Sequence, residues 1–554
     1  MQRITKFIAV AVLIAFPGLT ILAAEPAAAP EGVTVVTTSI DDLYSDLKFV
    51  FDEAAEPKAW ETLKDFIDGY VVGMERNQSI FGQIRLRTEK NGKNKYHTIW
   101  QFPVTEANSK TFIKNIGLLD YTAREVRGSK PKTFTVSGSY TGYLQFISGF
   151  ACFAENKEDF SAGLTPAAEL GALKTPASDL VVDVSNKAEG LAGRREALDT
   201  TYKEVVGGIH KRKNEDPDRF ELRKLWTEQQ MAEVNRFVAE AASIHIDWTT
   251  DTNAKIGALK IELESLPDTP LAASVAEVGK NPSFFRNVPH AEKTPCSLHI
   301  NFPLDELRQK NIQSMATASK SLTLKEIQKN TELNDAQKKN ATNVAEVIYE
   351  AVQQVTERKL LDAFLNVTKT SSGASLAVGG LHLDGNLLRK SIESHKGELD
   401  IKFAAEKEGD VEIHLLAMPE DWATIREMFG KDAAIYFATS GDAFWYSIGE
   451  GGSAPIHEAI QQTLAGGDKL LPAILIDAQL SKLAEFVDKV QSRLKEGDAE
   501  FRAEILKLMS SADDTLHLLL DRKEQKVNLE MTIQEGVFKG AGKLIAKGVR
   551  ENLE

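Results

Sequence analysis

Four histidines fall into two pairs with similar surroundings. His97 and His414 each close a stretch, Ile84 to His97 and Ile401 to His414, in which Ile, Glu, Lys, Gly and His fall at matching places. His245 and His517 sit in Ser243-Ile244-His245-Ile246 and Thr515-Leu516-His517-Leu518. Imidazole ligates metals and titrates near neutrality, so recurrent histidines are the first place to look for paired sites. Each of these, however, alternates with apolar neighbours, which puts it on the other, more solvated face of a strand. Shared ancestry alone would repeat it, and we expect structural histidines. Asp183, Asn301 and Asp477 stand at three similar strand-to-helix corners. One such residue per corner, with no Ser or His at fixed spacing, points to bonds with nearby N–H groups rather than to catalysis.

The remaining motifs are weaker. His457-Glu458 lacks a second His four residues on, where Gln461 stands, so the two-imidazole zinc pattern is missing. Gly449-Glu450-Gly451-Gly452-Ser453 precedes the same helix and reads as a flexible loop with Ser453 as its N-cap. Lys211-Arg212-Lys213 is followed by Glu215, Asp216 and Asp218 and reads as a solvated loop neutralised locally. There is no Gly-x-Ser-x-Gly elbow and no phosphate-binding glycine loop. The two cysteines, Cys152 and Cys296, lie in apolar strand-like runs; an exported protein could join them, but two separate buried thiols are expected. These readings name no catalytic residue, no cofactor and no metal ligand.

The elements that must position these residues follow from apolar periodicity. Leu43, Leu47 and Phe51, then Trp60, Leu63 and Ile67, mark two lead helices over 40–78. A ββαββα unit is expected at 79–174 and again at 397–467, each opening on a hairpin turned at Asn91-Gly92 or Glu408-Gly409. A βααββα unit is expected at 175–285, 286–396 and 468–554. Ser319 to Asn340, rich in Lys, Asn and Thr, reads as an exposed excursion. The fold class is then α+β, with internally repeated antiparallel sheets and helices packed on one face.

A chain of 554 residues with 42% hydrophobic and 26% charged content has room for several ordinary cores. Net charge −14 argues against general nucleic-acid binding. Arg3 and Lys6, an apolar run from Phe7 to Leu22 and small residues at Ala23-Ala24 form a secretory signal over 1–24, cleaved near Ala24 or, less in keeping with its pattern, kept as an anchor. An Ala/Pro-rich linker, 25–39, follows. No second stretch is apolar enough for a membrane helix.

The signal segment, the linker, corners such as Ile476-Asp477-Ala478, the Glu-Lys-x-Gly hairpin and the C-terminal Lys543-Leu544-Ile545-Ala546-Lys547-Gly548-Val549 together resemble large exported bacterial proteins of unknown function built from repeated α+β units. The resemblance implies a periplasmic or envelope location and carries over no catalytic residue. The expected function is a non-enzymatic binding or scaffold protein; the alternatives are a periplasmic carrier of an apolar ligand and a secreted hydrolase. A deep apolar cavity would favour the carrier, a cleft joining Ser or paired carboxylates to His the enzyme, and a continuous exposed patch the scaffold.

Overall fold

The computed structural model describes residues 31–554, apart from 90, 120, 139–140, 214, 292–293, 332, 397–398, 419–421, 468, 491–495 and 554. The expected signal segment, 1–24, and linker residues 25–30 lie outside the described residues.

The chain begins with β1 (Gly32–Ser39), α1 (Ile40–Glu53), α2 (Pro57–Asp68) and the hairpin β2 (Ser79–Thr88) and β3 (Asn94–Pro103). After α3 (Ser109–Leu118) come four shorter strands, β4 (Thr122–Glu125), β5 (Thr133–Ser137), β6 (Gly142–Ile147) and β7 (Phe150–Ala154), and two short helices, α4 (Asp159–Ala162) and α5 (Ala167–Gly171). The first half closes with β8 (Leu180–Ser185), α6 (Leu191–Gly207), α7 (Pro217–Glu240), the hairpin β9 (Ala241–Asp251) and β10 (Ile256–Ser265), and α8 (Pro270–Glu277).

The second half opens with β11 (Cys296–Pro303), α9 (Glu306–Lys329), α10 (Asp335–Arg358), β12 (Leu360–Lys369), β13 (Ser375–Leu381) and α11 (Gly385–His395). Next are β14 (Ile401–Glu408), β15 (Val411–Leu416), α12 (Ala423–Phe429), β16 (Ala434–Thr439), β17 (Phe444–Gly449) and α13 (Ala454–Leu464). It ends with β18 (Ile474–Gln479), α14 (Leu480–Val490), α15 (Glu496–Met509), β19 (Thr515–Lys523), β20 (Lys526–Ile533) and α16 (Glu535–Leu553).

All these strands join one antiparallel sheet. From one edge the hydrogen-bonded order is β4-β5-β6-β7-β3-β2-β1-β8-β9-β10. From the other edge it is β14-β15-β16-β17-β13-β12-β11-β18-β19-β20. The second order is the first with every strand number raised by ten, and the two halves meet where β10 pairs with β20 from Gly257↔Ile533 to Glu264↔Lys526.

This order changes three readings of the sequence. Residues 32–39, expected as linker, form β1, because Thr34, Val36 and Thr38 alternate inward between β2 and β8. The Ile84 hairpin lies inside the sheet between β1 and β7, whereas the Ile401 hairpin forms the far edge, where its counterpart by order is β4–β5. His97 and His414 therefore occupy different places. Ser319 to Asn340 is the tip of a helical hairpin: α9 runs to Lys329, and α10 starts in a capping box between Asn334 and Gln337.

Helices cover both faces of the sheet rather than one. Phe237 of α7 and Leu271 and Val275 of α8 pack on the face that presents Val33, Val184, Ile244 and Ile261. Leu170, at α5, packs on the opposite face against Val36, Phe81 and Val181. In the second half Ile456 and Ile460 of α13 lie over Phe364, Ile413 and Trp445. Each such side chain, fully buried, contributes about 1.5–3 kcal/mol. The C-terminal helix α16 returns to α1 and α2, placing Ala546 and Val549 in a core with Phe51, Trp60 and Leu63.

Candidate functional site

Pairing of the strands brings together polar residues that are far apart in sequence. Across the first half the row reads Gln83 (β2), Thr34 (β1), Asp183 (β8), His245 (β9) and Glu262 (β10). Across the second it reads Asn366 (β12), Ser297 (β11), Asp477 (β18), His517 (β19) and Thr532 (β20). Asp183 holds His245 Nδ1 at 2.9 Å, and Asp477 holds His517 Nδ1 at 3.0 Å. Burial pulls the His245 imidazole down, but the hydrogen bond and charge of Asp183 outweigh it and raise it above its ordinary value. The corner carboxylates thus do have histidine partners, one strand away. Asn301 is not their equivalent: it lies opposite Asp362 and gives its Nδ2 to the Asn281 carbonyl at 2.6 Å. Ser297, four residues earlier, is the β11 residue beside Asp477.

In the second half the row acquires a third member type. His290, from the loop before β11, lies with Nδ1 3.0 Å from Ser297 Oγ and Nε2 2.5 Å from Asp477 Oδ2. Ser, His and Asp in contact are the parts of an acyl-transfer nucleophile. Their proton directions are wrong for it. Ser297 Oγ donates to Asn366 Oδ1 at 2.6 Å, while Asn366 Nδ2 donates to the Pro289 carbonyl at 3.2 Å. The hydroxyl also accepts from Ala291 N–H at 3.1 Å and lies 3.0 Å from His290 Nδ1. Its proton points away from the imidazole, and Ser297 is 0% exposed. A nucleophile needs the reverse on both counts. The cluster locks the loop carrying Phe284, Phe285 and His290 onto the sheet. His299 lies beside it, ring centroid 5.6 Å from His290, and burial first, then His290, pulls its imidazole down to about 4.

The other candidates are also absorbed by structure. His414 is 0% exposed rather than on a solvated face; it accepts Ala404 N–H at Nδ1 (2.8 Å) and meets Thr439 Oγ1 at Nε2 (3.2 Å). Burial, then Arg389, pulls it down to about 4. His97 is buried too, with Nδ1 2.8 Å from Asn156 Nδ2 and near Asp159, which pairs with Arg87. Ser453 does not cap α13 with its side chain; Oγ donates to Glu406 at 2.7 Å. His457 is held between Glu408 (2.7 Å) and Glu406 (2.9 Å). Beside the Lys211-Arg212-Lys213 cluster, Glu215 takes both Nε and Nη2 of Arg223. Cys152 and Cys296 are free and buried, and burial pushes the Cys152 thiol up to about 12. Among the described residues no group of three or more His, Cys, Asp or Glu is placed to hold a metal ion. No helix of the described residues is long and apolar enough to cross a membrane.

Among the described residues, a groove of about 1100 Å³ opens where the helices of the two halves meet. Its walls are α6, α7, α8 and the start of α9, and Leu198, Ala239, Ala273, Leu304 and Leu307 make it partly apolar. The sequence builds these walls locally. Pro217 opens α7 behind the Asp216 cap, Thr269 caps α8 through Ala272 N–H, and Asp305 caps α9 through Arg308 N–H at 3.0 Å. Asp305 has a second task, because its other oxygen receives Arg236 Nη1 at 2.7 Å and so ties α7 to α9. Burial raises the Asp305 carboxyl, but the Arg308 N–H and Arg236 outweigh it and hold it low. Arg195 reaches Glu240 at 2.7 Å from α6, and Glu240 in turn accepts Leu271 N–H at 2.9 Å, fixing α8. Farther out, Arg219–Glu326 and Lys325–Asp218 continue the α7–α9 contact. These groove residues carried no signal in the sequence, since Arg195–Glu240 joins helices across 45 residues and Arg236–Asp305 joins the two halves of the chain. No family model, curated protein or solved structure matches this chain.

Proposed function

We propose that the protein is a non-enzymatic binding or scaffold protein, exported to the periplasm or envelope of a bacterium, that seats a partner in the groove between α6, α7, α8 and α9. The observation that carries this reading is the groove itself: about 1100 Å³, open, and walled by helices already fixed through Arg195–Glu240 and Arg236–Asp305. Prebuilt walls reduce the ordering entropy of binding. The burial of Ser297 and the bond its hydroxyl donates to Asn366 speak against the hydrolase, and the charged residues among the lining speak against a carrier of an apolar ligand. The shared ten-strand order supports reading the two halves as a duplication, with β1, α1, α2, β2 and β3 as a further copy of the βααββ pattern.

The test is native mass spectrometry of the protein released gently from its host's envelope, compared with the same sample denatured. A co-isolated protein that Ala273→Trp removes is the expected result. A stoichiometric lipid-like adduct that disappears on denaturation would replace this reading with the carrier.

A further inference from the structure

Resting on the groove reading, we infer that the occupant is a cationic amphipathic segment of a partner protein, apolar on the side that enters and rich in Lys or Arg on the other. Small-molecule pockets are typically about 300–1,000 Å³ and enclose their ligand. This groove of about 1100 Å³ is open between helices rather than closed around a ligand, the form that receives an amphipathic helix. The small side chains of Ala232 and Ala273 leave the space open, and the half-buried Leu198 and Leu307 supply the apolar contact.

The charge follows from what is already neutralised. Arg195 and Arg236, the two arginines of the lining, are held by Glu240 at 2.7 Å and by Asp305 and Glu233 at 2.7 and 2.6 Å. Around them Glu196, Asp199, Glu277 and Glu306 are exposed, against the exposed Lys359. Asp199 and Glu277 pair with Lys203 and Lys280, whose side chains are 72% and 57% exposed, and such solvated pairs yield readily to a competing cation. An apolar ligand with its own carboxylate, or a nucleic acid, would meet repulsion at this rim; a basic segment would be steered to it.

The experiment uses the full mature chain and two labelled helical peptides with the same Leu face, one with Lys and one with Glu on the other face. Fluorescence anisotropy should show the Lys peptide binding at least about tenfold more tightly than the Glu peptide. Ala273→Trp, which fills the groove, and a Glu196→Gln/Glu277→Gln/Glu306→Gln variant, which leaves its shape, should each weaken the Lys peptide about tenfold. Only the first should also abolish residual binding of the Glu peptide. Equal binding of both peptides, still blocked by Ala273→Trp, overturns the cationic occupant and leaves the groove reading standing. Binding of the Lys peptide undiminished by Ala273→Trp overturns both, since general attraction to an acidic protein then explains it. No binding of either peptide overturns the cationic occupant, and the native mass spectrum separately decides the groove.

Discussion

Ser297 and Asp477 face each other on adjacent strands, and His290 joins them from a loop outside the sheet. Asp477 carries two rings, His290 on Oδ2 and His517 on Oδ1, whereas Asp183 in the matching place carries His245. Asp477→Ala should therefore cost about 2–4 kcal/mol, by stranding two partly buried imidazoles, and more than Asp183→Ala. Urea denaturation of the two variants checks the order. Ser297→Ala should leave ester hydrolysis by the purified protein at the wild-type background; a loss of measurable turnover would restore the hydrolase.

The β14–β15 hairpin is docked on α13 by His457, whose two nitrogens both face carboxylates, Glu406 and Glu408. A neutral ring has one N–H, so both bonds are made only by the protonated ring. Burial lowers the His457 imidazole, but the hydrogen bonds it donates to Glu406 and Glu408 outweigh it and raise it. The His457 hydrogen bond leads the causes that lower Glu406 and Glu408. The histidine contribution is full below the ordinary value of about 6.5 and is lost as pH rises through the raised one. The glutamate contribution is lost as pH falls through the lowered values. The difference in Tm between wild type and His457→Gln should thus be largest in mildly acidic solution and shrink on both sides; a flat difference would count against the latch.

Asp46 of α1 and Asp179 before β8 are both partly buried, and burial, then the charge of Asp179, raises Asp46 to about 7. Because the folded state holds the proton more tightly, wild-type stability declines as pH rises from the unfolded value toward 7. Asp46→Asn removes that decline. Allowing for partial exposure, the variant should gain on the order of 1 kcal/mol at pH 8, and the gain should fade toward pH 4. Thermal melts across that range read it directly.

Two glycines of α16 should respond to alanine with opposite signs. A Cβ at Gly542 would lie 2.3 Å from the Val50 carbonyl oxygen and 2.6 Å from Ala54 Cβ, whereas one at Gly548 meets nothing within 4 Å. Gly548→Ala should stabilise by roughly 0.5–1 kcal/mol through helix propensity. Gly542→Ala gains the same propensity but must push α16 from α1, a net loss of about 1–3 kcal/mol in denaturant titrations.

The α+β class was legible because hairpins such as β9–β10 alternate apolar with polar and the helices carry their own stripes. Local pattern also exposed His245, His517, Asp183 and Asp477 as recurrent. It did not reveal that they pair, because each bond spans a long stretch: 62 residues for Asp183–His245 and 40 for Asp477–His517. Gapless matching of the Ile84 and Ile401 hairpins set an interior hairpin against an edge one, since period-two alternation does not encode a strand's neighbours. Thr34 and Ser297 were invisible for the same reason: small hydroxyl residues in apolar strands acquire meaning only from what lies beside them. The groove was illegible throughout, being made by the meeting of two halves.

The β10–β20 junction also sets an order of assembly. β10 pairs with β9 on one side, but its other edge waits for β20, and Lys526 reaches Glu262 across 264 positions of chain. Lys543 and Arg550 of α16 close on Glu56 across 487 and 494. Until the last strands arrive, a long edge with free N–H and C=O groups is open to any strand it meets. Folding from the first residue onward therefore yields a half with a sticky seam, and the final thirty or so residues act as its zipper pull. A chain cut short before β19 loses more than its end: it leaves that seam unsealed, with self-association as the default outcome.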